Sequence, residues 1–199
     1  MDIVKFQDRK KLRMQLRRQR RELSRQQQYL ASQALYRRLK HQFFFLRSKR
    51  IAFYLPNDGE IDPGPLLNLA SKLGKSCYLP VLAPFTQNSL WFIPITPSSK
   101  LRSNRYGIAE PSHRASGRIR AKQLDLVFMP LVGFDSSGGR LGMGGGYYDR
   151  SFSFRLQPEN HKPKLLGLAH SCQRTVDLPL ASWDIAMDGI ATDQELILL

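Results

Sequence analysis

The sequence predicts an α/β domain of three layers, a largely parallel sheet with helices on its faces. Three observations carry this. Short apolar runs rich in β-branched and aromatic residues recur at 50–56, 76–82, 89–95, 125–134 and 164–170. Stretches with helical periodicity precede and separate them. One apolar run feeds a glycine-rich loop that opens a helix, at 138–152. The 199 residues are enough for one well-buried core. With neither internal repeat nor linker, residues 1–199 read as a single domain, whose basic helical segment (about 5–40) packs on the α/β part.

Residues 9–23 read as the first helix, built from good helix formers, with Leu12, Leu16 and Leu23 on one face and Gln19 interrupting it. Arg9 and Arg13, four apart, project from one side. Ser24 and Gln27 fit a capping box. The second helix runs to about Lys40 with Leu30, Ala34, Leu35 and Leu39 as its stripe, and Phe43-Phe44-Phe45-Leu46 is expected as a buried connection. The strand at 50–56 closes in the turn Asn57-Asp58-Gly59, with Glu60 just beyond. Asp62 and Pro63 open a third helix, cap then proline, which Gly74 ends. Residues 96–123 have no clear pattern and contain Tyr106 through Pro111; a loop that long is usually functional.

Net charge is +15, and it is uneven: residues 1–50 hold sixteen Lys and Arg against three Asp and Glu. A polyanion partner is one reading and a solvated helix face is the other. No apolar run approaches the roughly 18–20 residues that span a bilayer. The N-terminal stretch does not read as a secretory signal, so a cytoplasmic protein without a membrane partner is expected. Cys77 and Cys172 make no disulfide framework and read as core filler. His41, His113, His161 and His170 lack metal-ligand spacing.

Six of the twelve residues from Gly138 to Asp149 are glycine. Such density lets the backbone take positive φ and approach a ligand. Strand, glycine loop and helix start together hold phosphate, through free N–H groups and the helix dipole. Arg140 adds a charged donor, and Asp149 a carboxylate where Mg²⁺ needs oxygen. These residues read as a nucleoside triphosphate site. The loop lacks the Gly-Lys-Ser/Thr ending of the Walker pattern and does not fit the dinucleotide fingerprint.

The run Arg-Leu-Gly-x-Gly-Gly-Gly-Tyr-Tyr-Asp-Arg, preceded by Gly-Phe-Asp, resembles the signature of the 5-formyltetrahydrofolate cyclo-ligase family in its bacterial form. The resemblance extends from about Arg9 to Thr192. It takes in Arg9 and Arg13, Tyr54-Leu55 with Glu60 and Asp62, Tyr106 through Pro111, and Leu178-Pro179 through Asp184 and Asp188. It implies a fold similar to the sugar-phosphate isomerases and CoA-transferases. It also implies an ATP- and Mg²⁺-dependent ligase that closes 5-formyltetrahydrofolate to 5,10-methenyltetrahydrofolate through a phosphorylated N5-formyl group.

The site roles follow from that resemblance. Residues Arg9, Lys10, Lys11, Leu12 and Arg13, with Arg140, Leu141, Gly142, Met143, Gly144, Gly145, Gly146, Tyr147 and Tyr148, bind ATP. Leu55, Glu60 and Met143 through Tyr147 contact the folate, with Glu60 accepting pterin N–H groups and Tyr147 able to stack on a flat ring. Tyr106 and Glu110 fall on the folate side. Arg140 and Tyr147 act in catalysis. Asp149 and Asp184 hold Mg²⁺, with Asp188 as the competitor of Asp184. The expected partners are small molecules, and the protein is expected as a monomer. Met143 stands where an aromatic or basic side chain is usual, and Arg9 where Lys is common. Plainer readings stand beside these: solvated Arg9 and Arg13, Glu60 or Asp184 capping local structure, and Trp183 in the core. Two other functions remain open, a basic nucleic-acid binder and a folate- or nucleotide-binding relative without turnover.

Overall fold

The computed structural model describes residues 2–84, 88–112, 116–157 and 159–199, with side chains from residue 8 onward. His113 lies outside these. Helix α1 spans Asp2–Arg21, starting earlier than its periodicity implied. Helix α2, Arg25–Leu39, begins at the expected capping box: Gln27 N–H donates to Ser24 Oγ (3.2 Å) and Ser24 N–H to Gln27 Oε1 (2.8 Å). Its buried face is Ala31, Ser32, Leu35 and Leu39, and Leu30 is exposed, so the stripe is rotated from the one predicted. The expected buried connection is a short helix α3, Phe43–Arg47. Phe45 is fully buried, but Phe43 points outward beneath the Arg47 guanidinium, 5.1 Å away.

Strand β1 covers only Arg50–Ala52, and the chain runs on extended, Phe53 N–H donating to Tyr78 O (2.9 Å). Helix α4 is Gly64–Lys72; Asp62 Oδ1 accepts from Gly64 N–H at 2.8 Å, so the carboxylate caps it, although Pro63 lies just outside the helix. Strands β2 (Ser76–Leu82) and β3 (Leu90–Ile95) follow. The stretch 96–123 is not patternless. It folds a separate hairpin, β4 (Leu101–Ser103) and β5 (Ala109–Pro111), and a 3₁₀ turn at Ala121–Gln123. The run at 125–134 breaks into β6 (Leu126–Pro130) and β7 (Gly133–Phe134), which pairs with β8 (Arg140–Leu141). Helix α5 (Tyr147–Ser151), β9 (Lys164–Leu168), β10 (Gly189–Ala191) and β11 (Leu196–Leu198) complete the fold.

The main sheet runs in the order β11-β10-β9-β6-β1-β2-β3, parallel from β10 to β2 with an antiparallel strand at each edge. Alternate residues face opposite ways. Leu126 and Phe128 join a core with Leu35, Leu39, Phe45, Leu66 and Ala70 of the helices. Val127 and Met129 join another with Phe152, Ile185 and Met187, where α5, 3₁₀ turns and the late loops form the cover. Each such side chain contributes about 1.5–3 kcal/mol by leaving water. Phe128 is the pivot of the first core, its ring 5.1 Å from that of Phe53 and 6.4 Å from that of Phe45. Cys77 is buried, which raises its thiol pKa to about 11, whereas Cys172 is exposed and is not core filler. Among the described residues no helix is long and apolar enough to cross a membrane.

From β1 the chain adds β2 on one side and β6, β9 and β10 on the other. The reversal between β1 and β6 leaves a crevice outside the carboxyl ends of the strands, where open parallel sheets bind ligands.

Candidate active site

A cleft of about 1450 Å³ occupies that crevice, bordered by Tyr54 and Leu55 after β1 and by Pro130 ending β6. One drug-sized ligand needs roughly 300–1000 Å³, so this cleft has room for two. It gathers most of the predicted residues: Arg9, Arg13, Leu55, Glu60, Arg140, Gly142 through Asp149, and Asp184 all line it.

The glycine loop runs from β8 into α5. Gly144 (φ +94°) and Gly146 (φ +68°) take backbone conformations that a β-carbon strains. Among the described residues, no N–H of residues 143–146 has a hydrogen bond, so four donors in sequence are open to a ligand. Helix α5 has only five residues, so its dipole adds less than the sequence implied and the loop amides carry the anion-binding capacity.

Helix α1 lays Arg9, Arg13 and Arg17 along the cleft. Arg13 Nε donates to Gly142 O at 2.8 Å, and its two terminal nitrogens have no partner among the described residues. Burial, then the charge of Arg9, lowers its pKa, with Asp184 opposing them. Lys10 and Lys11 are exposed and off the cleft, and Leu12 packs against Leu16, Val132, Leu141 and Leu178. Helical geometry sends these three elsewhere, since only every third or fourth residue shares a face. Leu141 is likewise buried in that cluster and Tyr148 stacks parallel to Phe152, so these two support the loop rather than face a ligand freely. Arg140, expected as a free phosphate donor, is buried. Its Nη2 donates to Asp149 Oδ1 and its Nε to Ile185 O (3.1 Å), tying the loop to the tail. Arg150 was not foreseen. It is exposed at the cleft and donates to Gly145 O at 2.9 Å.

The three acids differ. Asp149 Oδ1 accepts from Arg140 and from Ile185 N–H (3.3 Å), while Oδ2 is open. Asp184 is fully engaged: Arg9 donates to both oxygens (2.8 and 3.2 Å) and Ala181 N–H to Oδ2 (2.8 Å). It both caps its turn and pairs with Arg9. Asp188 holds Arg155 Nη2 (2.6 Å) and Leu165 N–H (2.6 Å) and is not on the cleft, so it does not compete with Asp184. Among the described residues no group of three or more His, Cys, Asp and Glu could hold a metal alone. A Mg²⁺ ion arriving with phosphate oxygens needs only one or two carboxylates. Asp149 fits that requirement as it stands, and Asp184 fits it once Arg9 releases it.

Glu60, also on the cleft wall, is nearly buried. Its Oε2 accepts from Asn57 N–H (3.1 Å), and Oε1 lies 3.8 Å from Arg20 Nη2. Burial outweighs the positive charge of Arg20 and raises the carboxyl pKa to about 7. Leu55 is half-buried beside it, and Met143 is exposed at the cleft. Tyr147 Oη accepts from Arg105 Nη2 and shares a 2.9 Å bond with Tyr106 Oη, the two rings meeting edge to face. The bond to Tyr106, helped by that to Arg105 and opposed by burial, lowers the Tyr147 pKa, and the bond to Tyr147 raises that of Tyr106 against the charge of Arg105. Glu110 Oε2 accepts from Asn104 Nδ2 (3.0 Å) and Leu82 N–H (3.3 Å), fixing this hairpin rather than reaching out. Trp183, expected in the core, is 66% exposed at the rim. His41 and His161 are exposed, and His170 is buried with Nε2 3.2 Å from Gly59 O.

Sequence reasoning missed Arg20. It is fully buried, with Nε donating to Asp58 O (2.8 Å), Nη2 to Asp58 Oδ2 (2.8 Å) and Nη1 to Leu131 O (3.2 Å). Asp58 also receives Arg17 (2.8 Å) and Arg21. Burial acts to raise its pKa, but those arginines outweigh it and hold the pKa down. With Arg9 on Asp184 and Arg18 on Glu22, five arginines of α1 are paired within the chain. That removes much of the free positive surface behind the nucleic-acid reading.

The chain is similar to known proteins along most of its length. The model of the 5-formyltetrahydrofolate cyclo-ligase family matches residues 5–193. The chain is 36% identical over 184 residues to the 5-formyltetrahydrofolate cyclo-ligase of Haemophilus influenzae, covering 92% of this chain and 97% of the relative. It is 37% identical over 171 residues to that of Escherichia coli K12, covering 86% and 92%. Its fold is similar to the solution structure of Aquifex aeolicus 5,10-methenyltetrahydrofolate synthetase, with TM-score 0.81, 31% identity and 96% and 92% of the two chains covered. It is also similar to the 5,10-methenyltetrahydrofolate synthetase of Mycoplasma pneumoniae, with TM-score 0.72, 26% identity and coverage of 94% and 99%. With a match along nearly its whole length and a shared fold, the chain belongs to the 5-formyltetrahydrofolate cyclo-ligase family.

Proposed function

We propose that this enzyme converts 5-formyltetrahydrofolate to 5,10-methenyltetrahydrofolate with Mg-ATP as co-substrate, releasing ADP and phosphate. The observation that carries this is the composition of one cleft. Open loop amides and the free end of Arg13 make an anion site, and the same cleft holds a nearly buried carboxyl, Glu60.

The formyl oxygen on N5 attacks the γ-phosphorus, the bond to ADP breaks, and N5 becomes an iminium carrying the phosphate. N10 then adds to the formyl carbon, the C–O bond breaks, and phosphate leaves with the N10 proton released. No protein nucleophile takes part, so the chain supplies position, charge and dryness. The N–H groups of residues 143–146 and Arg13 hold the phosphates. Arg140 fixes Asp149 from behind, a positioning role. Mg²⁺ supplies charge neutralisation at the phosphates, and Asp149 Oδ2 is the oxygen ready for it. Leu55, Met143 and the ring of Tyr147 bound the folate, and Glu60 accepts pterin N–H groups in its ionised form.

An absorbance assay tests this with purified protein, 5-formyltetrahydrofolate and Mg-ATP. Methenyltetrahydrofolate that forms only with ATP, and is lost in Asp149→Ala, is the expected result. Product formed equally without ATP, or no product from protein that still binds both ligands, overturns it. The latter outcome favours the relative without turnover.

A further inference from the structure

Arg20 is the one fully buried arginine among the described residues, and no step above uses it. A buried guanidinium is costly unless every branch is satisfied. Here each nitrogen has a partner, and the partners come from two places in the chain: Asp58, in the turn that carries Glu60, and Leu131, just past β6. Nη2 lies 2.8 Å from Asp58 Oδ2 and 3.8 Å from Glu60 Oε1, so one nitrogen faces both carboxylates. Asp58 adopts φ +54° and Gly59 φ +77°, a tight turn that an Asp-Gly pair suits. The β-carbon position of Gly59 lies 3.1 Å from Arg20 O, so the turn rests directly on α1.

We infer that Arg20 is a positioning residue of the folate subsite: it fixes the turn at 57–60 on α1 and so sets the orientation and charge of Glu60. This rests on the reading of Glu60 as the folate acceptor. The surroundings of Glu60 make Arg20 the control. From α1 come Arg17 and Arg20, from its own turn Asn57 and Asp58, from the end of β1 Tyr54, and from α5 Tyr148. Of the opposing effects on the carboxyl, the positive charge of Arg20 is the largest that favours ionisation, ahead of the Asn57 N–H and of Arg17. Asp58 is already satisfied by three arginines, whereas among the described residues Glu60 has Asn57 N–H and Arg20 alone within bonding or ion-pair distance.

The test is steady-state kinetics of Arg20→Lys and Arg20→Met over a range of pH, beside Glu60→Gln and the double variant Arg20→Lys/Glu60→Gln. The folded state of each is checked by its thermal melt. The expected result is a KM for 5-formyltetrahydrofolate raised about tenfold or more in Arg20→Lys, the weight of one charged hydrogen-bond contact. The KM for ATP stays within about twofold, because Arg9 and Arg13 lie elsewhere on the helix. The acid limb of kcat/KM for folate moves to higher pH in Arg20→Met, since removing the positive charge disfavours the ionised carboxyl. The double variant is no worse than Glu60→Gln. If Glu60→Gln raises the folate KM while folded Arg20 variants leave both KM and the pH limb unchanged, the role of Arg20 is overturned and the reading of Glu60 stands. If Glu60→Gln leaves the folate KM unchanged, the reading of Glu60 falls instead and the inference falls with it. Should Arg20→Met not fold, Arg20→Lys and Asp58→Asn carry the test. Parallel rises in the ATP and folate KM values there signify general loosening and overturn the inference.

Discussion

Glu60 is held almost out of water with a carboxyl pKa near 7, against an ordinary 4.5. A raised carboxyl pKa means that the folded state binds the proton more tightly than the unfolded chain. Its contribution to stability is therefore complete below pH 4.5 and lost as pH rises through about 7. Glu60→Gln does not titrate, so its melting temperature should gain on wild type as pH rises from 5 to 8, by up to roughly 2–3 kcal/mol of stability at the upper end. A gap that closes over that range contradicts the burial argument. Gly144 tests the phosphate subsite. At φ +94° an alanine there is strained by about 1–2 kcal/mol, though its β-carbon would make only ordinary contacts with the Arg13 guanidinium, the nearest to Cζ at 3.5 Å. Gly144→Ala is expected to raise the ATP KM and lower the melting temperature slightly; an unchanged ATP KM contradicts a loop shaped for phosphate. The loop was legible because its glycines sit between an apolar strand and a helix start, with Arg140, Tyr147, Tyr148 and Asp149 beside them, which a plain turn does not require. Arg20 was not: among Arg17, Arg18 and Arg21 it looks like one more solvated charge, and its burial is decided by partners 38 and 111 residues away.

At the scale of elements, α1 lines the cleft with Arg9, Arg13 and Arg17. Its C-terminal part is pinned by Asp58 to the turn at 57–60, while Arg13 in its middle reaches Gly142 and Arg9 nearer its start reaches Asp184. The hairpin β4–β5 closes a third side through Arg105 and Tyr106 on Tyr147. Tyr147→Phe removes the shared hydroxyl, so hydrogen exchange across 101–111 should quicken while global stability changes by less than about 1 kcal/mol, since the site is solvent-accessible. Unchanged exchange there contradicts the latch. Neither the hairpin nor the tail strands β10 and β11 were legible. Each strand is only three residues long, too short to show alternation, and forms because a partner is already in place. The central strands were legible because burial on both faces makes them continuously apolar.

At the scale of the whole molecule, strand order does what no single residue announces. The reversal between β1 and β6 brings Leu55 and Glu60, the glycine loop and the arginines of α1 to one crevice from three distant parts of the chain. The sheet and its helical cover followed from periodicity, and the site's membership followed from a resemblance along the chain; which arginines would be free and which tied down depended on that assembly. The central claim is a single cleft that holds a phosphate subsite and a folate subsite. The paired KM values of Arg13→Ala and Glu60→Gln test it most directly. The account predicts opposite patterns: Arg13→Ala raises the KM for ATP about tenfold or more and leaves that for 5-formyltetrahydrofolate within about twofold, and Glu60→Gln does the reverse. Equal rises in both constants for both variants, or none in either, would contradict it.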